Sequence, residues 1–360
     1  MQKDLKTKDY YMNKISNSER GIALLVTIFI LALCSIIIIN LTSKVYLESR
    51  ISKSYTDELV SDNMLFSSVN LAKVLLSDTA LKISLAGPQA ADSKYIWPGQ
   101  LWNQLATAET LPVEGFIGDP KIQIIDDDGL LNINSLLGAD GTPTAPSSSD
   151  FYKTSLSNLF DRLAFEAQSY RPEDYKTRGN VAFNSKTQVA VIHDFIDTDD
   201  QPHNSPGFSA QGIEGKNSNG LFLNRPLKSE TELLLVPGIT VERFNRAMPF
   251  INVDTGNAFD DKKININTAP PEVLTSIGFT DTQVESIINQ RNLLPLDEEI
   301  QNKLTEGSKL LKSNTKLSSN NFSIFAKIQT ATTVRWLRAK LERKSNSANQ
   351  KIKVSAVDIF

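Results

Sequence analysis

An uninterrupted apolar run near the start constrains this chain more than any other feature. It reads "IALLVTIFILALCSIIII", Ile22 to Ile39, 18 residues without a charge. As a helix it is about 27 Å long at 1.5 Å per residue, enough to cross the hydrocarbon core of a bilayer. A cleavable secretory signal has a shorter apolar region and ends in a small-x-small site, and "IIIINLTSK" offers none. The run is therefore expected to stay with the protein. Five Lys/Arg against three Asp/Glu lie within the first 20 residues, whereas residues 41–60 hold three of each. The positive-inside bias places the N-terminus in the cytoplasm and everything after Asn40 on the far side.

The run also has no stop signal. Between Gly21 and Gly87 there is neither Gly nor Pro, the residues that most readily end a helix. One long helix is expected from about Ile22 to Leu85. Its second half carries Tyr55, Leu59, Phe66, Val69 and Leu76 at helical steps, a face expected to lie against a globular domain.

The remainder has room for more than one domain. "GPQAADSKYIWPG" breaks the helix, and "KIQIIDDDGLLNINSLL" reads as a β-hairpin around an acidic turn. A metal site at Asp126, Asp127 and Asp128 is the weaker reading, because Asp before Gly is also what a tight turn requires. "GADGTPTAPSSSD" is a connector. From Phe151 to Arg291 the segments "SLSNLFDRLAFEAQ", "KTQVAVIHDFID", "SETELLLV", "VERFNRAM", "PPEVLTSI" and "DTQVESIINQR" have helical lengths, several with capping residues at the start. After Pro295 comes a polar Ser/Asn/Lys-rich stretch. The pattern then alternates from Phe322 onward, through "TVRWLRAKLER" and "KIKVSAVDIF", as in three strands of an antiparallel meander. The expected fold class is α+β: a long N-terminal helix packed on an antiparallel sheet, with an all-α domain inserted.

Few residues suggest chemistry. The histidines are His193, in a helical apolar pattern, and His203, in a loop. There is no phosphate loop, no H-E-x-x-H, no paired Cys motif and no G-x-S-x-G elbow, so the chain does not read as an enzyme. The single cysteine, Cys34, lies in the apolar run and excludes an internal disulfide. "DFIDTDDQPHNSPGFSAQGIEG" gathers carboxylates in one loop. Asp197, Asp199 and Asp200 are close enough in sequence to share a hard cation, with Glu214 returning as a further ligand. The spacing opens like an EF-hand, but Pro202 stands where Gly is needed and Phe208 where Glu is needed. A calcium loop of another kind and a solvated acidic cap after a helix both fit. "LLLVPGITVERFNRAMPFI" and "INTAPPEVLTSIGFTDTQVESIINQR" share a helix–Gly turn–helix layout, that of tandem helix-hairpin-helix units. Residues 230–292 carry five Lys/Arg against nine Asp/Glu. That balance repels a phosphate backbone and favours a packing role over nucleic-acid binding.

Taken together, "RGIALLV" before the long run, "DFIDTDDQP" after a helix, and "ININTAPPEVL" followed by "VESIINQR" resemble the type II secretion system minor pseudopilin K family, general secretion pathway protein K. The resemblance spans most of the chain, and the joint order of the motifs carries it. It implies a prepilin leader, residues 1–21, cut after Gly21 by a prepilin peptidase, with Ile22 becoming the methylated first residue. It implies a pilin-like helix over 22–85, membrane-spanning over 22–39. A pseudopilin α/β domain would occupy 86–150 and 310–360, and a SAM-like helical insert 151–309. Most pilin-like subunits carry Glu at mature position five. Here that position is Val26, which suits a subunit with no neighbour above it, because an unpaired carboxylate in the apolar layer is costly. The implied function is a minor pseudopilin anchored in the inner membrane with its globular part in the periplasm. It would join the minor pseudopilins I and J and the inner-membrane secretion platform, and initiate and cap the pseudopilus that exports folded proteins. The resemblance also implies calcium at Asp197, Asp199, Asp200 and Glu214. The alternatives are a membrane-anchored helix-hairpin-helix protein of DNA uptake and a minor pilin of a type IV pilus.

Overall fold

The computed structural model describes residues 3–77, 94–107, 121–137, 146–165, 168–170, 181–215, 222–253, 263–330, 333–344 and 351–360. The chain divides into two units, residues 1–63 with 329–334, and residues 64–328 with 335–360. The first is dominated by helix α1, Lys3–Leu75, which continues into the second and passes Asn40 without a break. Among the described residues α1 is the one helix long and apolar enough to cross a membrane. From Ile22 to Leu41 its large apolar side chains are exposed.

The second unit holds two apolar cores. One lies between the end of α1 and a four-stranded sheet. Leu65, Val69, Ala72, Leu75 and Leu76 bury against Ile124, Phe322, Ile324, Ala326, Ile328, Leu337, Ala339 and Leu341, with Ile96 and Trp102 completing the core. Trp102 is carried there by a short helix, α2, Leu101–Thr107. The sheet order is β1–β8–β9–β10, with β1 Lys121–Asp126, β8 Asn321–Gln329, β9 Val334–Lys344 and β10 Lys351–Ile359. The alternation expected from Phe322 onward is the period of β8, whose even-numbered positions from Phe322 to Ile328 face this core. A long helix on an antiparallel sheet is therefore the architecture, as the sequence indicates. The face of α1 differs from expectation in part. Val69 and Leu76 are buried as expected, Tyr55, Leu59 and Phe66 are exposed, and the buried stripe is Leu65, Val69, Ala72 and Leu76 at steps of four, three and four. Two apolar stripes share the helix, and spacing alone does not say which one meets the sheet. The helix ends at Leu75, ahead of the expected Leu85; residues 78–85 lie outside those described.

The expected hairpin around the acidic turn does not form. β1 pairs antiparallel with β8, Ile124 opposite Ile324. The other arm, β2 Leu131–Asn132, pairs parallel with β5 Ile251–Asn252. The two arms feed different cores: Ile124 belongs to the sheet core, Leu131 and Ile133 to the helical one. The acidic run is instead a polar knot between them. Asp126 caps a 3₁₀ turn, Asp127–Gly129, and its Oδ2 accepts from Asn265 at 3.0 Å, Thr268 at 2.6 Å and Ser319 at 2.6 Å. Asp127 accepts from Ser323 at 2.7 Å, and Asp128 pairs with Lys316 at 3.0 Å. Burial, with the nearby Asp128 charge, pushes the Asp126 carboxyl up to about 6.

Around the helical core run α3 Pro146–Arg162, α4 Ser185–Ile196, α5 Val241–Ala247, α6 Pro271–Ser276 and α7 Asp281–Leu293. The hairpin β3 Gln168–Tyr170 and β4 Val181–Phe183 is antiparallel. The "AFEAQ" end of the first expected helix falls outside α3, which stops at Arg162. Both helix–Gly–helix repeats are present. In the first, a 3₁₀ turn at Glu230–Leu235 precedes Gly238 (φ +86°) and α5; in the second, Gly278 (φ +113°) joins α6 to α7. These left-handed turns are what glycine supplies without a Cβ clash. The polar stretch after Pro295 adds two short helices, α8 Glu298–Leu304 and α9 Lys309–Asn314, both capped by side chains, by Asp297 and Ser308. A short parallel pair, β6 Ile264–Asn265 with β7 Thr315–Lys316, closes this body.

Candidate metal centre

The acidic loop hangs from a deeply buried helix. Asn184 caps α4 by accepting from Thr187 N at 2.9 Å. Every residue from Gln188 to Ile196 is buried, so polar side chains near the C-terminal end of the helix are buried with it. These are His193 and Asp194, and Asp197 stands next as the C-terminal cap, donating its N–H to His193 O at 3.0 Å.

Asp194 organises the loop beyond the helix. Its Oδ1 accepts His203 N at 2.6 Å, and its Oδ2 accepts Ile213 N at 2.6 Å and Glu214 N at 2.8 Å. One carboxylate thus gathers both sides of the loop. Gly212 fits beside it only because it has no side chain: a Cβ there would sit 2.0 Å from Asp194 Oδ2. Asp199 turns the loop, accepting Gln201 N at 2.7 Å.

This fold brings Asp197, Asp199 and Glu214 together, each offering a carboxylate oxygen within 4.8 Å of the others. Asp197 and Glu214 are buried and Asp199 is exposed. Asp200, the fourth residue expected from sequence, is exposed and takes a hydrogen bond from Asn224 Nδ2 at 3.2 Å. His193, Asp194 and Asp197 form a second such group, all buried. Sequence reasoning passed over Asp194 and Asn224. The first sits inside a helical apolar pattern that reads as core. The second lies in a loop rich in Asn and Gly, with only its positive φ of 47° to distinguish it.

The electrostatics of the cluster are unfavourable as it stands. Burial, then the charge of Asp199, pushes Asp197 up to about 8. Burial, then Asp197 and Asp194, pushes Glu214 up to about 8. Burial takes Asp194 up to about 7 and holds His193 down at about 4. Among the described residues, several buried polar atoms here have no hydrogen-bond partner: Asp197 Oδ1, Glu214 Oε2, Asn224 Oδ1, His203 Nε2 and both ring nitrogens of His193. Orphaned buried oxygens cost on the order of 1–3 kcal/mol each. A cation among them removes both the repulsion and the missing contacts. Either group is able to coordinate a divalent ion.

Residues 129–254 match the family model described as "Type II secretion system (T2SS), protein K". A solved structure, the GspK–GspI–GspJ complex of the enterotoxigenic Escherichia coli type 2 secretion system, holds a chain similar to this one in fold. The TM-score is 0.52 at 17% identity, covering 85% of this chain and 99% of that one. No curated protein matches this sequence. Residues 129–254, the stretch that resembles the type II secretion system protein K family, contain Asp194, Asp197, Asp199, Asp200 and Glu214.

Proposed function

We propose that this chain is a minor pseudopilin, a structural subunit of a type II secretion system and not an enzyme. The observation that carries the reading is the family match across 129–254 on a chain whose α1 runs unbroken from an apolar segment onto an antiparallel sheet. In this reading residues 1–21 are a leader removed after Gly21, and Ile22 is the first mature residue. The segment 22–39 anchors the protein in the inner membrane, and the rest occupies the periplasm. The α/β domain spans 86–150 and 310–360, and the helical insert 151–309.

The similar structure is that of a GspK–GspI–GspJ complex. The corresponding proposal is that this chain joins pseudopilins of the I and J types, and that the three together initiate and cap the pseudopilus. Val26, in place of the usual glutamate, supports the capping position: nothing above it demands a counter-charge.

The cation proposed for the acidic loop is calcium, with Asp197, Asp199 and Glu214 as ligands and Asp200 at the rim. The donor set is all oxygen, the loop is irregular, and orphaned oxygens point to a hard cation. Calcium would cross-link the loop and supply no chemistry beyond that.

The deciding experiment is co-purification of the full chain with I- and J-type pseudopilins, with and without chelator. A stable ternary complex is expected. Failure in both conditions removes the tip assignment. Mass spectrometry of the mature N-terminus tests processing, where any start other than Ile22 contradicts the leader assignment.

A further inference from the structure

We infer that the joint between the two apolar cores is a hinge that a proton closes, with Asp126 as the titrating group. Every buried member of the helical core lies between Leu131 and Leu317, and every buried member of the sheet core lies outside those limits. Among the described residues the chain therefore passes between the cores twice, through residues 126–130 and through residues 318–321. The two passages run side by side and are laced together. Asp126 Oδ2 accepts from Ser319 Oγ at 2.6 Å, and Asp128 Oδ2 accepts the amides of Asn320 at 2.7 Å and Asn321 at 3.3 Å. Two adjacent crossings of this kind let one body turn on another through a few residues between elements.

Among the described residues no buried apolar side chain is shared by the two cores, and polar contacts hold the joint. In one set, Asp126 Oδ2 reaches the helical side at Asn265 and Thr268, 3.0 and 2.6 Å away. In the other, Glu230 on the helical side pairs with Arg338 and Lys340 on β9. Residues 251–253 touch both sets: Asn252 Nδ2 donates to Asp127 O, and Lys340 Nζ donates to Val253 O.

The charged groups brought to Asp126 are Asp127 and Asp128 on its own turn, Lys316 on β7 and Arg343 on β9. Lys316 pairs with Asp128 at 3.0 Å, and Arg343 N donates to Asn320 O at 2.6 Å. β6 and the start of β8 present uncharged donors, Asn265 and Ser323. Burial, then Asp128, raises the Asp126 carboxyl to about 6, and the hydrogen bonds from Ser319, Thr268 and Asn265 offset only part of that. Burial acts on Glu230 the same way, but Lys340 and Arg338 overcome it and hold that carboxyl below its ordinary value. A proton in this range therefore reaches Asp126 and not Glu230. A carboxyl raised above its ordinary 3.8 in the closed joint favours closure in acid and loses that support as pH rises through about 6. At neutral pH the Asp126 charge faces that of Asp128 away from water, and opening relieves it. The Glu230 contacts keep the two bodies together while the Asp126 side gives.

The test is hydrogen exchange followed by mass spectrometry on the full chain in detergent, from pH 5 to pH 7.5, with rates corrected for their intrinsic pH dependence. Local opening is read from peptides covering residues 122–132 and 315–323. Peptides from residues 194–214, followed in the same digest, separate out titration of the acidic loop. Protection at the joint is expected to fall at least tenfold over this range, with a midpoint near 6, while peptides within β9 change less than about twofold. Asp126→Asn, uncharged at every pH, is expected to flatten the profile. Lys316→Gln, which takes that cation from Asp128, is expected to raise the midpoint. The wild-type profile decides even if either variant fails to fold. A flat wild-type profile, an equal loss of protection across β9, or a loss that persists in Asp126→Asn would each overturn the hinge.

Discussion

Asp194 Oδ2 accepts the amide of Glu214 at 2.8 Å, joining a carboxylate buried near the end of α4 to a residue twenty positions on. The same carboxylate holds His203 and Ile213 by their amides. Asp194 is thus the clasp of the acidic loop, and it holds the backbone of Glu214, one of the proposed ligands. Asp194→Ala is expected to lower stability by about 3 kcal/mol, since three amides lose a buried acceptor. It should also weaken calcium at least tenfold. Calorimetry of the full chain in detergent, with isothermal titration, checks both.

Calcium is expected to raise the unfolding midpoint. At a hundredfold excess over its Kd, a ligand bound only to the folded state adds about 2.7 kcal/mol. For a body of this size that is about 5–11 °C. Glu214→Gln and Asp199→Asn should abolish the shift, and a chelator should reverse it in the wild type. An equal shift in all three proteins would dissociate it from these carboxylates.

The pH dependence of the metal-free chain has a definite sign. Asp197 and Glu214 have folded pKa values of about 8, above their ordinary 3.8 and 4.5, so the folded state binds more protons than the unfolded one between those limits. Stability in chelator is therefore expected to fall as pH rises from about 4 to 8. Calcium must displace those protons, so its affinity should rise with pH over the same range. Urea midpoints at pH 5 and pH 8, with and without calcium, test both slopes.

Glu230 ties the first helix–Gly–helix unit to the sheet. Its buried carboxylate pairs with Arg338, and with Lys340 at 3.4 Å, both on β9. Burial alone would raise its pKa, and the two cations overcome that and lower it. Glu230→Ala leaves both cations facing a low-dielectric gap and is expected to cost about 3–5 kcal/mol. Proteolysis at the boundary between the two cores, compared with wild type, should reveal the loosening.

Gly238 is strained for any other residue. Its φ is +86°, and a Cβ would stand 2.4 Å from Gln188 Oε1 and 2.5 Å from the Phe183 ring. Gly238→Ala should destabilise the helical body by more than about 1 kcal/mol, the size of the φ penalty alone. Gly215, with nothing among the described residues within 4 Å of an added Cβ and no positive φ, is the matched control, and Gly215→Ala should be near neutral. Thermal midpoints of the two variants, set beside the wild type, make the comparison.

Much of this protein was legible in its residues because the signals are local and dense. Eighteen apolar residues without a charge fix a helix by composition, and the lack of Gly and Pro to Leu75 lets it continue. Alternation in β8 marks a strand with one buried face. Aspartates ahead of a Pro-Gly loop, with a returning Glu, single out Asp197, Asp199, Asp200 and Glu214, of which the fold groups all but Asp200. Partnership was left open. Ile124 and Leu131 look like arms of one hairpin but enter different cores, since a turn's residues state that the chain bends and not what each arm will meet. Tyr55, Leu59 and Phe66 are as apolar and as well spaced as Leu65, Val69 and Ala72, and only the last three meet the sheet.

Steric and solvation preferences of neighbouring residues are enough to set the rod, the strands, the glycine turns and the types of ligand on offer. Packing of the folded chain selects which stripe of the rod is buried, ties two cores together through three adjacent aspartates, and brings Asp194 and His193 into the acidic loop. Several of those outcomes depend on contacts between residues far apart in the chain, 20 positions for Asp194 with Glu214 and 196 for Asp127 with Ser323. The free energy of such a contact exists only once the chain has closed the loop between them.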